Sequence, residues 1–193
     1  MPKNNQGVPK ALREAAVLDA ASKLFTTQGY RETSIAAVGK AVGVAPAAVL
    51  WYYPTKDDLF AASLHKIFIE SRRHIESNRK IAGDPHAELA ELLEQMLPFR
   101  GMHREAYERM ADSEALREVY GEVQRWLEER LLKVIDAHAP SDVDRTLVTD
   151  VAHIFFEGML ISVRAIDRPL TEYIDMVVDA AIGVASARKA RRK

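Results

Sequence analysis

Cysteine is absent from all 193 residues, and that one gap excludes disulfides, thiolate zinc sites, iron–sulfur clusters and thiol redox sensing. Helix breakers are scarce, with 9 Gly and 8 Pro. With 48% apolar and 28% charged residues, such a chain reads as an all-α globular protein. No apolar run nears the length of a membrane span, and the polar opening residues 1–10 lack the apolar centre of a secretion signal. The expected location is therefore cytoplasmic, with no membrane partner. Gly-rich phosphate loops, a nucleophile elbow and an HExxH pair are also missing, so no catalytic residue, metal site or cofactor is expected.

What is present is segregated charge. The net charge is −1, but residues 1–60 carry +2, residues 61–187 carry −8 and the last six residues carry +5. A mildly basic head on an acidic body fits a chain in which only the head meets a polyanion. The terminal run Arg188-Lys189-Ala190-Arg191-Arg192-Lys193 reads as a solvated tail.

Helical periodicity and its punctuation divide the chain. Leu12, Ala16, Val17, Ala20, Ala21, Leu24 and Phe25 repeat at helical spacing over 10–28, and Gly29 supplies the stop. Thr33 or Ser34 caps a second helix that ends at Gly43, and Pro46 opens a third that ends before Pro54. Thr55 with Asp58 three residues on is a capping-box start for a fourth helix to about residue 79. Further helices follow at about 85–97, 102–111, 114–137, 143–166 and 170–187, separated by Gly83-Asp84-Pro85, Pro98 to Gly101, Pro140-Ser141 and Arg168-Pro169. That makes about nine helices in all.

Two short helices flanking a tight Gly turn are the lengths a helix-turn-helix requires. The run VLDAASKLFTTQGYRETSIAAVGKAVGVAPAAVLWYYPTKDDLF resembles the N-terminal domain of TetR-family transcriptional regulators. The resemblance implies a three-helix DNA-binding domain over 10–55, preceded by a flexible arm (1–9). A larger helical ligand-binding and dimerisation domain (56–187) follows, opened by a linker helix (56–79), and then the basic tail (188–193). It implies a ligand-responsive regulator, most simply a repressor that a small molecule releases from a palindromic operator. Its partners are double-stranded DNA, a second copy of itself and an effector. Thr33, Ser34, Tyr52 and Lys56 match backbone-contact positions, while Pro46, Ala47, Ala48 and Trp51 lie on the recognition helix. Ala45 replaces the usual Ser cap, Ala47 a frequent Gly, and Leu50 a common phosphate-binding Tyr. Readout by this helix must lean on thymine methyls, Trp51 and DNA shape.

The body offers two stripes. Leu147, Val151, Ile154, Gly158, Ile161 and Ala165, with Ile174, Val177 and Ala181 of the last helix, form the expected dimer face, since the resemblance implies a four-helix interface there. Met96, Phe99, Met102, His103, Tyr107, Met110, Trp126, Phe155 and Met159 are the pocket candidates, flexible or aromatic groups suited to an adaptable apolar cavity, with Arg104 as an anion partner. The alternatives are a small helical metal-dependent enzyme, whose best pair is His153 and Glu157 one turn apart, and a protein-interaction module that uses the helix-turn-helix only as scaffold.

Overall fold

The computed structural model describes residues 9–138, 144–163 and 165–191. All regular structure among them is helical: α1 (Lys10–Glu32), α2 (Ile35–Val42), α3 (Pro46–Tyr52), α4 (Lys56–Ser77), α5 (Pro85–Met96), a 3-10 turn (Leu97–Phe99), α6 (Arg100–Arg109), α7 (Glu114–His138), α8 (Arg145–Ile161) and α9 (Leu170–Arg191). The arm over 1–8, the break at Pro140-Ser141 and the side chains of the basic tail over 188–193 lie outside the described residues. The chain forms two compact units: residues up to Ile67 with 105–119, and residues 68–104 with those from 120 onward.

In the first unit α1 buries Val17, Ala21 and Phe25, the inward positions of its periodic stripe. Gly29 breaks the helical path with φ 82°, a left-handed conformation open to glycine at no steric cost, and so turns Tyr30 inward. Phe60 of α4 meets both Phe25 and Tyr30 edge-on at 4.9 Å, and Leu59, Phe60 and Leu64 are all buried. Each such side chain contributes about 1.5–3 kcal/mol through burial. The first turns of α4 therefore belong to the head, whose compact unit extends past the boundary expected at residue 55. The capping box is formed: Thr55 N–H donates to Asp58 Oδ2 at 2.9 Å, and Asp58 N–H to Thr55 Oγ1 at 3.0 Å.

The second unit is built on one apolar cluster that joins Phe68 and Ile75 of α4 to Leu89, Leu92, Leu93 and Met96 of α5, Trp126, Leu127 and Leu131 of α7, and the inner faces of α8 and α9. Asp84 caps α5, accepting from His86 N–H and Ala87 N–H, and Asp144 caps α8 through Leu147 N–H. Glu88, buried at the start of α5, accepts from Gly83 N–H at 2.7 Å and from Arg130 Nε at 3.1 Å, which satisfies a charge that burial alone would penalise.

Helix α8 ends five residues before the expected 166. Ser162 is extended at φ −63°, ψ 148°, and Arg100 and Arg104 donate to the carbonyls of Ser162 and Ile161, Arg104 Nε at 3.0 Å. Cations at a helix C-terminus satisfy its last carbonyls and favour the dipole. Arg104 is thus a helix-end ligand rather than the expected anion partner, and Ala165 stands outside any helix, exposed.

Candidate DNA-binding face

Ser34 makes the start of α2, its Oγ accepting Ala37 N–H at 3.0 Å. Thr33 does not: it is 1% exposed and its hydroxyl donates inward to the Gly29 carbonyl at 2.8 Å. The expected phosphate contact by Thr33 is therefore withdrawn. Ser34, exposed, keeps its hydroxyl hydrogen free to donate outward, because the cap uses only a lone pair.

Gly43, left-handed at φ 72°, closes α2, and Val44 N–H donates back to the Gly39 carbonyl at 2.9 Å. Between α2 and α3 the chain bends by 101°. Val38 and Val49 are fully buried and pin the two helices to the head. Pro46 takes the first position of α3, and Ala45 provides no side-chain cap, as its methyl dictates. The outer face of α3 is then Pro46, Ala47, Leu50 and Trp51, all exposed, with Ala48 and Tyr52 half-buried. Trp51, 63% exposed, meets Tyr52 edge-on at 4.9 Å, and Lys10 Nζ stands 4.4 Å from the centre of the Trp51 ring.

At the start of α4, Lys56 Nζ lies 4.1 Å from the centre of the Tyr30 ring, and the Arg109 guanidinium lies 4.0 Å from the same centre. Tyr30 Oη donates to Asp57 Oδ1 at 2.5 Å, and Arg109 Nε donates to it at 2.8 Å. Burial works to raise the Asp57 carboxyl, but the hydrogen bonds from Arg109 and Tyr30 outweigh it and hold the group below the usual carboxylate range. Burial, with Asp57 beside it, pushes the Tyr30 phenol up. Burial and then the nearby Arg109 charge lower the Lys56 ammonium.

A right-angled helix pair with a left-handed Gly turn, an exposed second helix and cations on either side is a helix-turn-helix. The family model for bacterial regulatory proteins of the tetR family matches residues 17–63, the same segment. The head is similar to the DNA-binding domain of that family. The transcriptional regulator AcrR of Shigella flexneri is 36% identical over 86 residues, which span 42% of this chain and 38% of that one, so the match covers well under half of that relative's length. Solved structures share the fold over most of the chain. A tetR-family regulator from Streptomyces coelicolor superposes with a TM-score of 0.67 at 19% identity, over 94% of this chain and 85% of that one. FadR of Thermus thermophilus, a TetR-family repressor in complex with lauroyl-CoA, gives 0.62 at 16% identity, over 87% and 92%.

The body places the other expected residues unevenly. Met96, Trp126, Phe155 and Met159 come together in one apolar cluster. Met102 and His103 are buried and Phe99 is half-buried. Tyr107, 39% exposed, and Met110 belong to the head unit instead. His103 Nε2 and Trp126 Nε1 are buried without a hydrogen-bond partner, and burial lowers the His103 pKa to about 4. On the expected dimer face, Ile154 and Gly158 are exposed, and Leu147, Val151 and Ile161 are half-buried. Ile174, Val177 and Ala181 are at most 2% exposed, because α9 packs that side against α5 and α8. They are core of the chain itself, and the large apolar residues of α9 exposed among the described ones are Met176 and Val184.

Sequence reasoning missed Lys10, Asp57 and Arg109. Lys10 and Asp57 were legible as charges on helix first turns, but nothing local tied Lys10 to Trp51 or Asp57 to a cation 52 residues away. Of the pair named for the metal-enzyme alternative, His153 Nε2 meets Glu157 Oε1 at 3.0 Å and its Nδ1 engages Gln124. Among the described residues no group of three or more His, Asp or Glu side chains is placed to hold a metal ion. Nor is any single helix there long and apolar enough to cross a membrane.

Proposed function

We propose that this chain is a ligand-responsive transcriptional regulator, a homodimeric repressor released from a palindromic operator by a small molecule, acting in the cytoplasm. The observation that carries this reading is the α2–α3 pair itself, which presents Leu50 and Trp51 on an exposed helix between Lys10 and Lys56. In the major groove, α3 would set Trp51, Leu50 and Ala47 against base edges, where apolar groups distinguish thymine by its methyl. Ser34, Tyr52, Lys10 and Lys56 would hold phosphates, positioning the head without reading sequence.

A two-fold operator requires two heads at a fixed spacing. The exposed apolar residues Ile154, Met176 and Val184 suit a second copy of the same surface, as a two-fold contact demands. The effector would be largely apolar, given the cluster of Met96, Trp126, Phe156 and Met159. A hydrogen-bonding group on it would satisfy His103 Nε2 or Trp126 Nε1, which otherwise stay buried at a cost. The lauroyl chain of the lauroyl-CoA bound by the similar Thermus FadR is one such apolar group.

Selection of genomic fragments by the purified chain at moderate salt tests the reading. Enrichment of a palindromic site bound by two chains is the expected result. Diffuse binding that salt abolishes, with no shared site, would remove the regulator function and leave the helix-turn-helix as scaffold.

A further inference from the structure

The start of α4 poses an electrostatic problem for a DNA-binding head. Its first-turn N–H groups and Lys56 favour a phosphate, yet Asp57 and Asp58 follow at once, so the three side chains sum to −1. A bare carboxylate beside a phosphate would oppose binding. The structure deals with each acid separately. Asp58 folds back into the capping box, where Oδ2 takes both the N–H and the hydroxyl of Thr55. Asp57 turns the other way, to Tyr30 and to Arg109 of α6.

Among the described residues Arg109 is the cation that reaches Asp57 from α6, and adding it brings the sum over Lys56, Asp57, Asp58 and Arg109 to zero. It is itself fixed from two sides. Its guanidinium lies on Tyr30, and its Nη1 stands 3.6 Å from Glu105 Oε1 one turn back, while Glu105 and Glu108 also hold Arg31 at 3.6 and 3.8 Å. These residues, with Asp112, line a charged cleft of about 220 Å³. Lys56, resting on the same Tyr30 ring, takes its position from this arrangement.

We infer that Arg109 is a positioning residue for DNA binding: it pairs with Asp57 and fixes Tyr30, so that Lys56 meets a phosphate with the adjacent carboxylate already neutralised. The inference rests on the proposed DNA-binding function and extends it to a residue on α6. One unpaired carboxylate some 6 Å from a phosphate, at an effective dielectric between protein surface and water, weakens binding about fivefold for each head engaged.

The test uses the full-length chain and a random-sequence duplex at low salt, since a phosphate contact is independent of sequence. Wild-type binding to this duplex is the control, and its absence would overturn the regulator reading and this inference together. Given wild-type binding, Arg109→Met, which keeps the stem over Tyr30, should lose about fivefold or more per head, and Arg109→Lys should lose less. Adding Asp57→Asn to Arg109→Met should restore binding towards wild type, because the charge that needed neutralising is gone. A purely structural role for Arg109 predicts no such rescue. Wild-type affinity in a folded Arg109→Met protein, or a double variant no better than the single, would overturn the proposal. Should Arg109→Met fail to fold, Asp57→Asn alone decides: binding equal to or tighter than wild type supports the inference, and weaker binding contradicts it.

Discussion

Replacing Gly39 by valine should dismantle the recognition element while leaving the rest of the chain intact. Gly39 lies on the inner side of α2, where a Cβ would stand 2.7 Å from the Val44 carbonyl oxygen and 3.5 Å from backbone atoms of Ala45 and Pro46. Everything it would meet is backbone of the turn, and that turn is held by the Val44 N–H bond to Gly39 itself. No flexible side chain can move aside, so α3 must shift. Alanine already carries the clashing Cβ: a gain of about 1 kcal/mol in helix propensity is set against a cost of about 1–3 kcal/mol for moving the backbone of the turn. Alanine should therefore destabilise, by up to about 2 kcal/mol. Valine adds two more methyls at the same place and has little propensity advantage, so it should cost about 3 kcal/mol or more. Gly43→Ala is the control. Its Cβ meets nothing within 4 Å, and the left-handed φ of 72° costs about 1–2 kcal/mol without displacing α3. Urea unfolding followed by circular dichroism, with duplex binding measured below the transition, separates the cases. Gly39→Val should lose binding more than tenfold even where the chain stays folded, and Gly43→Ala should keep most of it. A valine variant with the wild-type urea midpoint and wild-type affinity would refute the account of this turn.

Lys10→Ala should weaken binding to every duplex alike and reduce the slope of log K against log salt by about 0.9 for each head engaged, the signature of one lost phosphate contact per head; an unchanged slope removes Lys10 from the interface. His103 links stability to pH. Its folded pKa of about 4 lies below the unfolded value of about 6.5, so only the unfolded chain takes up the proton between those values. The stabilisation from a neutral His103 is complete above the unfolded pKa and declines as pH falls towards the folded one. Between pH 7 and pH 5 this amounts to about 2 kcal/mol, and His103→Gln should shrink the difference in urea-derived stability between the two pH values by that much; an undiminished difference would contradict the assignment. Ile154→Glu and Met176→Glu place charges on side chains that are 72% and 54% exposed in a single chain. Each should therefore give a folded monomer by sedimentation that no longer holds a palindromic site, whereas a persistent dimer moves the interface elsewhere.

The parts of the fold that depend on neighbouring residues were legible in the sequence. Gly29, Gly43, Pro46 and the Thr55–Asp58 box punctuate the head by local conformation, and each acts where its chemistry requires. Choices made by distant packing were not. Thr33 and Ser34 are equally good caps in isolation, and burial of Thr33 under the turn at Gly29 decides between them. The end of α8 is set by Arg100 and Arg104, some 60 residues away in the chain. The sequence of α9 is apolar nearly all round, so periodicity cannot say which side faces its own core. Packing on α5 and α8 takes Ile174, Val177 and Ala181 inward. The link from Arg109 to Asp57 has the same origin: each residue is an ordinary surface charge until the fold brings them to 2.8 Å.

In the proposed complex the exposed apolar face of α3 meets bases in the major groove. Thymine-to-uracil interference across a selected operator tests it most directly, because uracil removes only the methyl that Trp51, Leu50 or Ala47 would contact. The account predicts that affinity falls at one or more thymines in each half-site, and that Trp51→Ala abolishes or diminishes the effect. Wild-type affinity at every uracil position, on a site the protein still distinguishes from random DNA, would contradict it.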